Sequence, residues 1–210
     1  MELIKTLNLG LIDYLECLNL QLQLVREIHQ TQEPGYLIIC SHPPVVTKGL
    51  KTSSEDIFDW HGNIVETRRG GRATYHGPSQ IIAYPILNLQ YPHTKQPRKD
   101  VTWLIRSLEQ ATINTLQEWG LKAHGKTEKE NTGVWVGEKK IASIGIAVSH
   151  WISYHGLALN VWSDSQAFHG IKPCGYPPSI MTSLEEILGK KPEKTLIESQ
   201  LINHLQQLLF

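Results

Sequence analysis

Three cysteines in 210 residues, scattered and without a C-x-x-C pair, leave little for covalent or metal cross-linking. Neither a disulfide framework nor a zinc-finger-type site is expected, and free thiols are the default. A dominant charge is lacking too. Lys+Arg and Asp+Glu each total 20, for a formal net charge of zero. No global field would attract nucleic acid or an anionic membrane, so any basic site must be local. No apolar run approaches the roughly 20 residues of a membrane span. Met1-Glu2-Leu3-Ile4-Lys5 has no basic segment leading into an apolar one, so the expectation is a cytoplasmic protein. Within the glycine-rich stretch Arg68 to Pro78 the spacing fits neither G-x-x-x-x-G-K-[ST] nor G-x-G-x-x-G, so that stretch is not a usual nucleotide-phosphate loop. Repeats and low-complexity stretches are missing as well. With 40% hydrophobic residues, the chain reads as one domain over residues 1–210 with a substantial core.

Leu11, Leu15, Leu18, Leu22 and Val25 recur at helical spacing, predicting an amphipathic helix from about Ile12 to Ile28 with Cys17 beside its stripe. Tyr36 to Cys40 is a short apolar run between Pro34-Gly35 and Ser41-His42-Pro43-Pro44, the pattern of a buried strand. A second helix has Val101, Leu104, Ile105, Leu108, Thr112, Leu116 and Trp119 on one face, Asp100 as N-cap and Gly120 after its end. Ser183-x-x-Glu186 opens a short helix that Gly189 closes, and a last helix runs from about Thr195 to Leu209 with Leu201, Leu205 and Leu208 inward. Strands are expected at Ile81–Leu87, Val134–Val136, Ile141–Val148 and Ile152–Val161, with Gly137-Glu138 as a tight turn. Pro85 marks the first of these as an edge or interrupted strand. Strands that follow one another without helices favour antiparallel pairing. Gln90 to Arg98 and Lys126 to Glu130 read as surface connections.

Four segments concentrate chemistry. Arg69-Gly70-Gly71-Arg72-Ala73-Thr74-Tyr75-His76-Gly77-Pro78 packs glycines, arginines, a hydroxyl and a histidine ahead of an apolar strand. The glycines let backbone N–H groups approach a ligand, and Arg69 and Arg72 suit an anionic group. A plain Gly-rich turn with solvated arginines and a structural His76 is the alternative. Lys140-Ile141-Ala142-Ser143-Ile144-Gly145 opens on a lysine and continues with small or apolar residues; taken alone, Lys140 is a solvated turn charge. His155-Gly156-Leu157-Ala158-Leu159-Asn160 is placed to pair with it. Cys174 sits in Pro173-Cys174-Gly175, a loop outside any periodic core face. A thiol of ordinary pKa, about 8.5, is mostly protonated at neutral pH, so a nearby ammonium such as that of Lys140 would favour the reactive thiolate. Cys17 and Cys40 read as packing residues.

In this order the four segments resemble the lipoyl(octanoyl) transferase family, and Ser41-His42-Pro43-Pro44 is similar to that family's early His-Pro-Pro loop. The resemblance implies an α/β (α+β) chain with the biotin/lipoate protein ligase-like fold, a mostly antiparallel mixed sheet flanked by helices. It implies an acyltransferase that moves an octanoyl group from octanoyl-acyl carrier protein to a lysine of lipoyl domains, on 2-oxoacid dehydrogenases or the glycine-cleavage H protein. Catalysis would run through a thioester on Cys174 with Lys140 assisting, without metal or nucleotide. Arg69, Gly70, Gly71, Arg72, Ala73, Thr74, Tyr75, His76, Ser143, Ile144, Gly145, Gly156, Leu157 and Ala158 would line the substrate site. N–H groups near Gly77 or Ser143 are candidates for the oxyanion. Ser79 and Lys48 depart from the family pattern. The rivals are an ATP-using ligase of the same fold, an idle acyl- or lipoyl-domain-binding module, and a metal site drawn from His76, His155, His169 and Cys174.

Overall fold

The computed structural model describes residues 4–91, 99–126 and 132–209, so most of the two expected surface connections lies outside the described residues. Seven strands form the main sheet. In spatial order they are β1 (Lys5–Leu11), β2 (Gly35–Ser41), β6 (Gln80–Leu87), β10 (Ile152–Asn160), β9 (Lys139–Ser149), β8 (Gly133–Val136) and β7 (Ala123–Gly125). Only β1 and β2 run parallel there, as the intervening helix α1 (Tyr14–Thr31) allows. A smaller sheet orders β4 (Asn63–Glu66), β3 (Val45–Lys48) and β5 (Thr74–His76). The mixed, mostly antiparallel sheet agrees with expectation; β1, β7 and the three strands of the smaller sheet were not anticipated.

Side-chain alternation explains why the central strands read as unbroken apolar runs: both faces are covered. Leu37, Ile39, Ile81, Ala83, Leu157 and Leu159 face α2 (Val101–Glu118), α3 (Leu184–Leu188) and α4 (Lys194–Leu209). Ile38, Cys40, Ile82, Tyr84, Ile86 and Ala158 face α1. Helix ends follow the sequence closely. Asp100 caps α2 through Trp103 N–H, and the Ser183 hydroxyl caps α3 through Glu186 N–H. The Glu186 carboxylate accepts from Thr182 rather than closing a reciprocal box.

The buried face of α1 differs from the expected stripe. Tyr14, Cys17, Gln21, Leu24, Val25 and Ile28 point inward, Leu15 is 52% exposed, and Leu11 belongs to β1. Counting leucines missed this face because a cysteine, a glutamine and a tyrosine carry half of it. Pro85 is likewise not on an edge, since β6 lies between β2 and β10. The ladder to β10 stops at Ala83–Leu157. Beyond it the Ser153 hydroxyl donates to Pro85 O (2.7 Å) and accepts Leu87 N–H (3.0 Å). His155 adopts φ 59° at the break. A Cβ on Gly156 would come within 2.1 Å of Ala83 O.

The Asp13 carboxylate accepts from Leu15 and Glu16 N–H at 2.8 and 3.1 Å, so Asp13→Ala should cost about 1 kcal/mol in urea unfolding. Leu201→Ala, which empties a fully buried position between α4 and the sheet, should cost about 2–5 kcal/mol in the same assay.

Candidate active site

Lys140 is not a solvated turn charge. It is 1% exposed, near the start of β9 opposite Trp135, where the β8–β9 register shifts. Its stem fits because position 133 is glycine, where a Cβ would sit 2.6 Å from Lys140 Cε. The ammonium donates to Thr132 O at 2.8 Å and to Cys174 Sγ at 3.5 Å. Among the described residues no carboxylate lies within ion-pair distance of it.

Cys174 lies in a short 3₁₀ turn, Pro173–Gly175, with φ 55° and ψ 25°. A non-glycine residue there is uncommon and strained, a feature that clusters at functional sites. Its N–H donates to Ala73 O at 3.2 Å, and Lys172 N–H donates to Asp56 O at 2.7 Å. The Arg72 guanidinium binds the Asp56 carboxylate (Nε–Oδ2 2.9 Å) and packs against Gly175, where a Cβ would meet it at 2.4 Å. Burial opposes the Asp56 charge, but hydrogen bonds from Arg72 and Ser53 outweigh it and hold the carboxyl below its usual range. Arg72 is therefore a clasp on the cysteine loop rather than a free anion receptor.

Arg69 is also committed, donating to Thr47 Oγ1 and O and to Gly70 O. It has no carboxylate partner among the described residues, so its charge reaches the cavity around Cys174 uncompensated. Register sets the remaining walls: β9 and β10 pair Ser143 with Ala158, Ile144 with Leu157 and Gly145 with Gly156. Gly70 N–H donates to Ile146 O, which lays the arginine loop over this patch, and a Cβ on Gly145 would lie 3.0 Å from Gly70 O.

Two cavities meet at Cys174. A slot of about 30 Å³ is lined by Arg69, Thr74, His76, Tyr84, Ser143 and His155 with the Gly156–Ala158 backbone strand. A wider cavity of about 290 Å³ is bounded by Lys51, Arg72, Val101, Ile105, Ile144 and Ile146. Thr74 Oγ1, His76 Nδ1, Ser143 Oγ and His155 Nε2 are buried around the slot without a hydrogen-bond partner. Unpaired polar atoms in such a place are costly, which suits a ligand with groups to offer them.

Most of the anticipated lining residues thus surround Cys174. Tyr75 does not; its ring packs on Phe168 and Trp60 and its hydroxyl donates to Asp164. Ala73 contributes its carbonyl. Gly77 N–H is taken by Gln80 Oε1, which withdraws it from the oxyanion candidates. His169 is exposed while His76 and His155 are buried. Ser79 donates to Asp164 and Lys48 pairs with Glu66, so neither departure from the family pattern touches Cys174. Sequence reasoning missed Asp56, Thr47 and Tyr84; the tyrosine in an otherwise aliphatic strand was the one visible signal.

Burial, reinforced by the Arg69 charge, pushes His155 down to about 3, and burial first of all holds His76 well below its ordinary value. Unfolded, both titrate near about 6.5, so below that pH the unfolded chain binds more protons than the native one. Stability present above pH ~6.5 should therefore fall on acidification. Unfolding free energies measured by urea titration at several pH values should show a shallower fall in His155→Asn, since asparagine tolerates positive φ.

The lipoyl protein ligase A/B catalytic domain family matches residues 13–206. An octanoyltransferase of Bdellovibrio bacteriovorus is 42% identical, covering 95% of this chain and 96% of that one. A probable octanoyltransferase of Pyrobaculum calidifontis is 39% identical over 87% of this chain and 75% of its own. Solved structures share the fold at low identity. Lipoate-protein ligase A bound with ATP gives TM-score 0.72 at 18% identity, covering 100% of this chain and 86% of that one. A bi-partite lipoate protein ligase of Thermoplasma acidophilum, described with its E2 lipoyl domain, gives 0.71 at 18% over 100% and 84%. Biotin protein ligase of Aquifex aeolicus gives 0.54 at 12% over 99% and 70%. With a buried lysine held against a loop cysteine on this sheet, and octanoyltransferases matching along nearly its whole length, the chain belongs to the lipoyl protein ligase A/B catalytic domain family, among its octanoyltransferases.

Proposed function

We propose that this chain, acting as one catalytic domain, transfers an octanoyl group from acyl carrier protein to a lysine of a lipoyl domain, the first step of endogenous protein lipoylation. The observation that carries the mechanism is the 3.5 Å approach of Lys140 Nζ to Cys174 Sγ. Lys140 Nζ stands against that sulfur, and Arg69 lines the same slot. The Cys174 thiolate attacks the donor thioester carbonyl, a new thioester forms on Cys174, and the carrier leaves as a thiol after taking a proton. The acceptor lysine amine then attacks Cys174's acyl carbon, Lys140 relays the proton it sheds, and the amide product releases the thiolate. The acyl chain runs along Ile144, Leu157 and Ala158, with Thr74, His76 and Ser143 available to polar atoms near the thioester.

Acceptors in this reading are the lipoyl domains of 2-oxoacid dehydrogenases and the glycine-cleavage H protein. The ligase described with its E2 lipoyl domain supports the class. No helix of the described residues is long and apolar enough to cross a membrane, and the proposed place of action is the cytoplasm. Because the donor is already a thioester, transfer proceeds without ATP.

Intact-mass measurement after mixing with octanoyl carrier protein should show one octanoyl increment in the native chain and none in Cys174→Ala. Full transfer by Cys174→Ala, or transfer that requires ATP, overturns the mechanism. Lys140→Met should slow acyl-enzyme formation by roughly 10²–10⁴-fold.

A further inference from the structure

Behind the wall of the slot, a second group of reactive side chains lies outside the proposed reaction. Cys17 on α1, Cys40 on β2 and His42 just beyond β2 bring Sγ, Sγ and one ring nitrogen within 4.8 Å of one another, and all three residues are buried. Cys40 and His42 are two apart on an extended strand and so project to the same face, the face α1 covers. Cys40 Sγ lies 3.8 Å from His42 Nε2.

We propose that Cys17, Cys40 and His42 form a binding site for a tetrahedral divalent cation of the zinc class, which pins α1 to β2 behind the acyl slot. The imidazole is set up for it. His42 Nδ1 lies 2.8 Å from Ile12 O, and a carbonyl can only accept, so the ring proton sits on Nδ1 and the Nε2 lone pair is left to Tyr84 Oη at 2.9 Å and Cys40 Sγ at 3.8 Å, the positions a bound cation would fall between. Metal-bound histidines commonly fix their other nitrogen in this way. Tetrahedral zinc with Zn–S of ~2.3 Å and Zn–N of ~2.0 Å separates S and N ligands by about 3.5 Å, within a few tenths of the 3.8 Å seen.

The surroundings supply the other parts of a metal site. Tyr84 Oη, 2.9 Å from His42 Nε2, stands where a fourth oxygen ligand belongs. Gln21 Nε2 approaches Cys17 Sγ at 3.8 Å, a donor suited to a thiolate, while Gln21 Oε1 accepts His155 N–H at 2.8 Å. Two thiolates and one divalent cation are neutral together, which makes them compatible with an apolar interior. Through Gln21 and the ring contact of His42 with His76, the site would brace two residues of the slot.

The test uses the untagged full-length chain produced in zinc-supplemented medium. Metal analysis after gel filtration should find one zinc per chain in the native protein and in Cys174→Ala, and at least a tenfold loss in Cys17→Ser and Cys40→Ser. Since those two variants can misfold, Cys174→Ala is also loaded with Co²⁺ during refolding. Its only thiols are then Cys17 and Cys40. A near-ultraviolet sulfur-to-cobalt charge-transfer band with tetrahedral visible bands supports the site. The proposal is overturned by a metal-free native chain, by equal zinc in Cys17→Ser, by a cobalt spectrum without sulfur ligation, or by an intact mass showing a Cys17–Cys40 disulfide instead.

Discussion

Lys140 carries its charge into a place where the described residues provide no carboxylate, and much of the surrounding structure follows from keeping it there. Desolvating an ammonium costs several kcal/mol unless something charged or strongly polar takes up its protons. Here Thr132 O accepts one, the sulfur of Cys174 lies 3.5 Å away, and the Trp135 ring faces the charge at 5.6 Å. The backbone adapts around that pair: Gly133 leaves room for the stem, the β8–β9 register shifts beside it, and Lys140 O receives Thr182 N–H from the segment beyond the cysteine loop. A thiolate is the counter-ion that would make the burial self-consistent.

The cysteine itself is held from the other side by a different set of bonds. Asp56 joins Lys172 through its carbonyl and Arg72 through its carboxylate, while Ala73 O takes the Cys174 N–H. Two sheets therefore converge on one sulfur. The large one contributes Lys140 and the paired small residues of β9 and β10; the small one and its loops contribute Arg69, Thr74 and His76. Rigid strands on both sides give the site better positional definition than a loop alone would.

Much of this was legible in the residues. The capped helices, the hairpin β8–β9 and the strand β10 follow from periodicity and turn chemistry, because those signals are local. The segments around Cys174 stood out by composition and order, but the burial of Lys140 did not, since a lysine at a hairpin looks the same whether a glycine nearby makes room for it or not. The stripe on α1 was misread because Cys17 and Gln21 carry no weight in a count of leucines, although both are fully buried. Asp56 and Thr47 were invisible for another reason. They act on Arg72 and Arg69 across 16 and 22 residues, and nothing in a single sequence pairs them. The Cys17, Cys40 and His42 group also needs α1 laid on β2 before it exists.

The break between β6 and β10 has a meaning for how this scaffold can change. At Pro85 the ladder lacks a donor, and the Ser153 hydroxyl stands in for backbone on both sides of the gap while His155 turns left-handed and Gly156 passes close to Ala83. The slot floor is thus a repaired seam in the middle of a sheet, bridged by the Ser153 hydroxyl and closed where Gly156 lets the two strands approach. Replacing Gly156 alone would reopen the seam, because a Cβ there would meet Ala83 O. Variation at position 156 must therefore travel with positions 85 and 153, the pair that carries the repair.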